Sequence, residues 1–213
     1  MILLHGRDWV DGALVPTSGG NSPQGLILAG GRSRRMGEDK GLIDYHGRAQ
    51  VQWVSGLLLE FCTCVRVSIG PRQQGLSHYG SMHTVVEPEP GRGPAGGLAS
   101  AWDVDPDAAW LLVAVDLPLL DRETLRMLTC GRSMTHLATA FRHGDGTLEP
   151  LCTIWEPAAR TVLEQRLKRG DASLRRLLEA SPVRVLEPPN AEALRSVDSP
   201  AERNGIRRLL RDP

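Results

Sequence analysis

The chain has 213 residues and equal numbers of acidic and basic side chains, 25 of each, so its formal net charge is zero. That length suits one domain with a substantial core, and neutrality supplies no global field to attract nucleic acid or an anionic membrane. Aromatic residues make up 4% of the chain and are scattered, so no base-stacking platform is expected.

Residues 1–23 read as an extension outside the main fold, and residues 24–213 as one domain. Ile2-Leu3-Leu4 and Trp9-Val10 flank His5-Gly6-Arg7-Asp8, and Asp11-Gly12 is a turn signal, so a small hairpin is expected. Pro16-Thr17-Ser18-Gly19-Gly20-Asn21-Ser22-Pro23 then reads as a flexible linker. Gly25-Leu26-Ile27-Leu28 is a short buried strand. A helix is expected from about Ala49 to Phe61. Val65, Val67 and Ile69 alternate with polar residues and predict a strand ending near Gly70-Pro71.

His83 to Val86 is another short strand, and Leu98 to Trp102 reads as helical. Ala109 to Val115 is a near-continuous apolar run, the pattern of a central strand covered on both faces. Asp121 caps the next helix. His136–Phe141 and Leu151–Trp155 read as two strands around the turn His143-Gly144-Asp145-Gly146. A helix follows from Pro157 to about Arg169, another begins at Asp171-Ala172-Ser173-Leu174, and Val183–Leu186 is a strand. Ser199-Pro200-Ala201-Glu202 is a capping box that opens the last helix.

Alternating strands and helices predict an α/β, Rossmann-like three-layer sandwich around a mostly parallel mixed sheet, the hairpin contributing one antiparallel element. Cys62 and Cys64 are expected on one strand face. They and Cys130 and Cys152 read as buried thiols in a reducing compartment. No apolar run reaches the roughly 18 residues of a membrane span, and the first residues lack the apolar region of a secretory leader. A cytoplasmic location with no membrane or nucleic-acid partner is the expectation.

Three motifs carry chemistry. In Leu28-Ala29-Gly30-Gly31-Arg32-Ser33-Arg34-Arg35-Met36-Gly37-Glu38-Asp39-Lys40, a strand runs into a glycine-rich, basic loop. Adjacent glycines let backbone amides approach a ligand, and the amides with three arginines and a lysine fit a polyphosphate. The spacing is neither that of a Walker A loop nor that of a dinucleotide fingerprint. Asp116 ends the most buried strand, at the sheet edge where α/β proteins bind ligands, and is suited to hold Mg²⁺ against that polyphosphate. Gly91-Arg92-Gly93-Pro94-Ala95-Gly96-Gly97-Leu98 follows a strand and opens a helix, so Gly93 and Gly96 can lie close to a base or ribose.

The string L-A-G-G-x-S-x-R-M-G-x-x-K, followed in order by G-P-x-x-G-L and D-x-P, resembles the molybdenum cofactor guanylyltransferase family. Glu149-Pro150-Leu151-Cys152-Thr153-Ile154-Trp155, Ser173-Leu174-Arg175-Arg176-Leu177-Leu178 and Val197-Asp198-Ser199-Pro200-Ala201-Glu202 resemble later segments of it. The resemblance covers about Gln24 to Leu210. It implies a fold of the nucleotide-diphospho-sugar transferase type and transfer of GMP from GTP to the phosphate of molybdopterin, with Mg²⁺, releasing pyrophosphate. Molybdoenzyme maturation proteins are the further partners it implies.

Carried over, Leu28, Ala29, Gly30 and Gly31 hold the nucleotide, Arg35 and Lys40 grip its phosphates, and Asp116 binds the metal. Glu87, or Glu89 two residues on, falls where the family has an aspartate near the nucleotide. Asp198 stands where the family usually has asparagine. An aspartate there is more like the cytidylyl and sugar-phosphate transferases and is placed to join Asp116 at the metal. Gly70 stands where an asparagine is common. A CTP-dependent or sugar-phosphate transferase, and a non-catalytic nucleotide-binding partner in cofactor delivery, are the alternatives. Arg142, His143, Arg175, Arg176, Arg207 and Arg208 are candidates for an anionic acceptor, and Trp102, Trp110 and Trp155 for stacking on a pterin.

Overall fold

The computed structural model describes residues 7–10, 13–16, 22–30, 39–88 and 91–211. Two short strands, β1 (Arg7–Val10) and β2 (Ala13–Pro16), pair antiparallel. These strands form the expected hairpin, and its turn signal Asp11-Gly12 lies outside the described residues. Ile2-Leu3-Leu4 lies outside the described residues.

The main sheet has seven strands: β3 (Gln24–Leu28), β4 (Val65–Ile69), β5 (Thr84–Val86), β6 (Trp110–Ala114), β7 (Ala138–Arg142), β8 (Leu148–Trp155) and β9 (Val183–Leu186). Their spatial order is β5-β4-β3-β6-β8-β7-β9. All pairings are parallel except the two made by β8, which lies antiparallel between β6 and β7. Chain order runs outward from β3 to β5 and then returns to β6 on the other side of β3. The topological switch point therefore lies between β3 and β6, where Leu28 is in register with Ala114.

The helices are α1 (Gln50–Leu59), α2 (Gly93–Val104), α3 (Arg122–Cys130), α4 (Ala159–Lys168), α5 (Leu174–Glu179) and α6 (Pro200–Arg211). Strand alternation splits the core into two layers. Ile27, Leu111 and Val113 face α1 and α3 with Val54, Leu58, Leu125 and Leu128. Leu26, Leu28, Trp110 and Leu112 face α2, α4 and α5 with Leu98, Trp102, Leu163 and Leu177. All five residues of β6 are buried, which is why that strand reads as an unbroken apolar run.

Side-chain caps match the sequence expectations. Asp121 accepts from Thr124 N at 2.8 Å and Ser173 from Arg176 N at 3.2 Å. At α6, Ser199 Oγ accepts from Glu202 N at 3.3 Å, while Glu202 Oε2 accepts from Ser199 N at 2.8 Å.

Three expectations need correction. Helix α2 begins at Gly93 rather than near Leu98. Pro94 in its first turn needs no N–H partner, and Gly96 and Gly97 let the helix lie against the sheet. A Cβ on Gly97 would stand 2.7 Å from Leu28 Cδ2 and from Ser68 Oγ. Strand β8 starts at Leu148 and accommodates Pro150 where the register with β7 shifts, because a proline without an N–H fits at a bulge.

The cysteines are the third correction. Cys62 and Cys64 precede β4 instead of sharing a strand face. Cys62 N still donates to Leu58 O at the tail of α1, and Cys64 Sγ donates to Gln24 Oε1. Cys130, the last residue of α3, is exposed, while Cys152 is buried in β8.

Candidate active site

The switch point gathers the first two motifs. Beyond β3, the amides of Ala29 and Gly30 both donate to Ser68 O, at 2.9 and 2.8 Å, which draws the strand end toward β4. A Cβ on Gly30 would lie 2.7 Å from Glu87 Oε1, so a larger residue there would displace the Glu87 carboxylate. Gly31 and Arg35 lie outside the described residues, as does Glu89.

The chain re-enters the description at Asp39. Its carboxylate accepts from Gly41 N at 2.9 Å and caps a short 3-10 turn, Lys40–Leu42. From that turn Lys40 Nζ donates to Asp116 Oδ2 at 2.9 Å and to Asp198 Oδ1 at 2.7 Å. Burial disfavours the ammonium charge, but the hydrogen bonds to Asp198 and Asp116 outweigh it and raise the Lys40 pKa above the ordinary lysine value. Lys40 is therefore a permanent cation between two carboxylates.

Asp116 arrives from β6 and Asp198 from the segment before α6. One backbone bond brings them together, Val197 N donating to Asp116 O at 2.9 Å. Asp198 N in turn donates to Glu202 Oε2 at 2.9 Å, so the box that starts α6 also fixes this aspartate.

The chemistry of these groups fits a divalent cation. Asp116 Oδ1 is buried and accepts no hydrogen bond among the described residues. Leaving such an acceptor unpaired costs on the order of 1–3 kcal/mol. Mg²⁺ is held through one or two carboxylates with phosphate and water oxygens completing the shell. Among the described residues no group of three or more His, Cys, Asp or Glu could hold a metal, so phosphate and water would have to complete the shell of any cation here.

Glu87 follows β5 and is half-buried. Its Oε1 accepts from Ser68 Oγ at 2.9 Å. A Cβ on Gly96 would lie 3.4 Å from its Oε2, so the carboxylate is wedged between Gly30 and Gly96. Desolvation raises its pKa, and the Ser68 hydrogen bond only partly offsets this. Gly93 and Gly96 open α2 beside it.

Several candidates fall elsewhere. Trp102, Trp110 and Trp155 are fully buried in the layer beneath α2, so they pack the core and cannot stack on a ligand. Arg176 pairs with Asp171 at 2.6 Å and His143 with Glu149 at 2.8 Å. Arg207 lies near Tyr45. It donates from Nε and Nη2 to Asp44 O at 3.1 and 3.0 Å and lies 6.0 Å from the Tyr45 ring centre.

Two supporting groups carried no motif. His46 Nε2 lies 2.8 Å from Pro118 O and its ring stacks on Trp53 at 4.0 Å, bracing the segment after Asp116. Gln73 and Tyr79 meet the Asp39 carboxylate. The place of Asp39 beside Lys40 was the one sequence signal for that contact.

A doubly wound sheet with a lysine–dicarboxylate cluster at its switch point is an architecture suited to binding phosphate groups and a divalent cation. Residues 25–185 match the model of the MobA-like NTP transferase domain, and the chain belongs to that family. It is a nucleotidyltransferase.

The chain is 30% identical over 178 residues to the molybdenum cofactor guanylyltransferase of Pseudomonas entomophila, covering 82% of this chain and 93% of that one. It is 35% identical over 154 residues to that of Xanthomonas euvesicatoria, covering 72% and 75%. It is 29% identical to a molybdenum cofactor biosynthesis bifunctional protein of Synechocystis, matching 84% of this chain but about half (52%) of that longer protein.

Among solved structures, molybdopterin-guanine dinucleotide biosynthesis protein A of Archaeoglobus fulgidus superposes with a TM-score of 0.72 at 20% identity, covering 89% of this chain and 100% of that one. A CMP:2-keto-3-deoxy-manno-octonic acid synthetase in complex with CTP gives 0.67 at 13% identity, covering 89% and 99%. Both likenesses concern the fold. Among the described residues no helix is long and apolar enough to cross a membrane.

Proposed function

We propose that the chain transfers GMP from GTP to the terminal phosphate of molybdopterin, giving a guanine dinucleotide cofactor and pyrophosphate, in the cytoplasm and with Mg²⁺. The observation that carries this reading is Lys40 held between Asp116 and Asp198 at the switch point, with Glu87 set between Gly30 and Gly96. The nucleotidyltransferase domain is residues 24–213, and residues 1–23 are an extension to it.

The bare backbone at Gly30 and the glycines of α2 admit the nucleotide. Guanine offers two adjacent donors, N1–H and the 2-amino group, and the Glu87 carboxylate offers two acceptors to pair with them. Cytosine presents acceptors beside its amino group, which a carboxylate repels. Arg35 and Lys40 hold the phosphates. Asp116 and Asp198 would hold Mg²⁺, which when bound would supply positive charge to the phosphate oxygens.

The acceptor phosphate attacks in line, and because it is already ionised no strong base is needed. Two anions must meet, so the protein's work is positioning and charge neutralisation. Arg207, near Tyr45, is the proposed contact for the incoming acceptor.

The second reading, a cytidylyl or sugar-phosphate transferase, rests on Asp198 standing beside Asp116 at Lys40. Thermal stabilisation by each nucleoside triphosphate with Mg²⁺ separates the two. A bound nucleotide at about 100 times its Kd adds roughly 2.7 kcal/mol, and GTP is expected to give the larger rise. A clear preference for CTP overturns the guanylyl reading. Asp116→Ala is expected to abolish Mg²⁺-dependent pyrophosphate release. Nucleotide binding by the unaltered chain with no release of pyrophosphate would leave a binding partner in cofactor delivery.

A further inference from the structure

One side-chain amide joins three segments around the nucleotide loop. Gln73 follows β4, in the short 3-10 turn Pro71–Gln73. Its Nε2 donates to Ala29 O at 3.1 Å and to Asp39 Oδ2 at 2.7 Å. Its Oε1 accepts from Gly70 N at 2.9 Å. The chain leaves β3 at Ala29 and returns at Asp39, so both ends of the glycine- and arginine-rich segment are pinned by the same nitrogen.

The return end is secured further. Tyr79 is buried, and its hydroxyl lies 3.0 Å from both Asp39 oxygens. Asp39 Oδ1 also accepts from Gly41 N at 2.9 Å. Asp39 thus fixes the turn that carries Lys40, and Gln73 fixes Asp39 relative to β3 and β4. All the donors and acceptors named match in polarity, and a partly buried network of this kind is well defined only when every member is satisfied.

We propose that Gln73 is a positioning residue for nucleotide binding: acting through Asp39, it sets Lys40 relative to the end of β3. The inference rests on the reading of Lys40 as a phosphate ligand. Its mechanical part, the Gln73–Asp39 link, stands apart from that reading.

The test uses the full-length protein with Gln73→Ala, Gln73→Glu and the double variant Gln73→Glu/Asp39→Asn. Amide hydrogen exchange without nucleotide is read at Gly70 and Gly41. If Gln73 only packs locally, Gly70 alone exchanges faster. The link requires that Gly41, whose amide bonds Asp39 and not Gln73, also exchanges at least tenfold faster in Gln73→Ala. An unchanged Gly41 overturns the proposal.

Calorimetric binding of GTP with Mg²⁺ is then compared across the variants. Gln73→Ala is expected to raise Kd about tenfold, which corresponds to about 1.4 kcal/mol. Gln73→Glu, which sets a carboxylate against Asp39, is expected to raise it further. The double variant restores an amide–carboxylate pair with its polarity reversed and is expected to recover part of the loss. Equal affinities in wild type and Gln73→Glu, or no recovery in the double variant, count against the positioning role. If the wild-type chain binds no nucleoside triphosphate, the functional reading fails, while Gly41 exchange still decides the link.

Discussion

Glu87 occupies a slot that works against its own charge. Burial raises its pKa above the ordinary 4.5, with the Ser68 hydroxyl opposing. In the folded chain it keeps its proton to a higher pH than in the unfolded chain. Stability therefore falls as pH rises from about 4.5 through the folded-state pKa, and the loss persists above it. Glu87→Gln is expected to remove this slope in a melting-temperature series of the nucleotide-free protein and to weaken the preference for GTP over CTP. A variant with an unchanged pH slope would mean that the carboxylate is not the group responsible.

At this scale the convergence of the motif residues was legible, because in an α/β sheet the segments that follow parallel strands meet at one edge. Of the residues so singled out, the fold brings Lys40, Asp116 and Asp198 into contact and sets Glu87 beside Gly30. Gln73 and Tyr79 were not legible. Their partner Asp39 lies 34 and 40 residues away along the chain, and no local pattern specifies which distant carboxylate an amide or phenol will meet.

Among the elements, α2 shows how a functional demand can hide a helix. Glycine and proline at 93, 94, 96 and 97 argue locally for a loop, since glycine lowers helix stability by about 1 kcal/mol relative to alanine. Packing decides otherwise, because only a helix with bare backbone on that face can reach Leu28 and Ser68. Gly97→Val is expected to destabilise the fold by about 1–3 kcal/mol through overpacking, read as a lower denaturant midpoint with an unchanged slope. A neutral effect would show that α2 can move off the sheet freely. Strand β6 was easy to read because it is covered on both sides. Strand β8 was harder, since Pro150 breaks its alternation and only the bulge against β7 makes room for it.

For the whole molecule, the alternation of strands and helices was enough to infer the layered class. The strand order was not, because pairing between distant segments is decided by how both faces of the sheet are covered. Strands β3 and β6 have hydrogen-bonded neighbours on each side and helices above and below, whereas β5 and β9 are edges. Native-state hydrogen exchange is expected to be slowest in β3 and β6 and faster in β5 and β9. Protection in β9 equal to that in β6 would mean that its edge is covered.

The bond from Val197 to Asp116 joins a late stretch of the chain to its middle. Synthesis proceeds from the N-terminus, so Lys40 and Asp116 leave the ribosome long before Asp198 does. Until the residues after β9 emerge, Lys40 can neutralise Asp116 alone, and the second carboxylate of the cluster is missing. The three-member cluster is then completed in one late step, when α6 docks and Asp198 reaches Lys40.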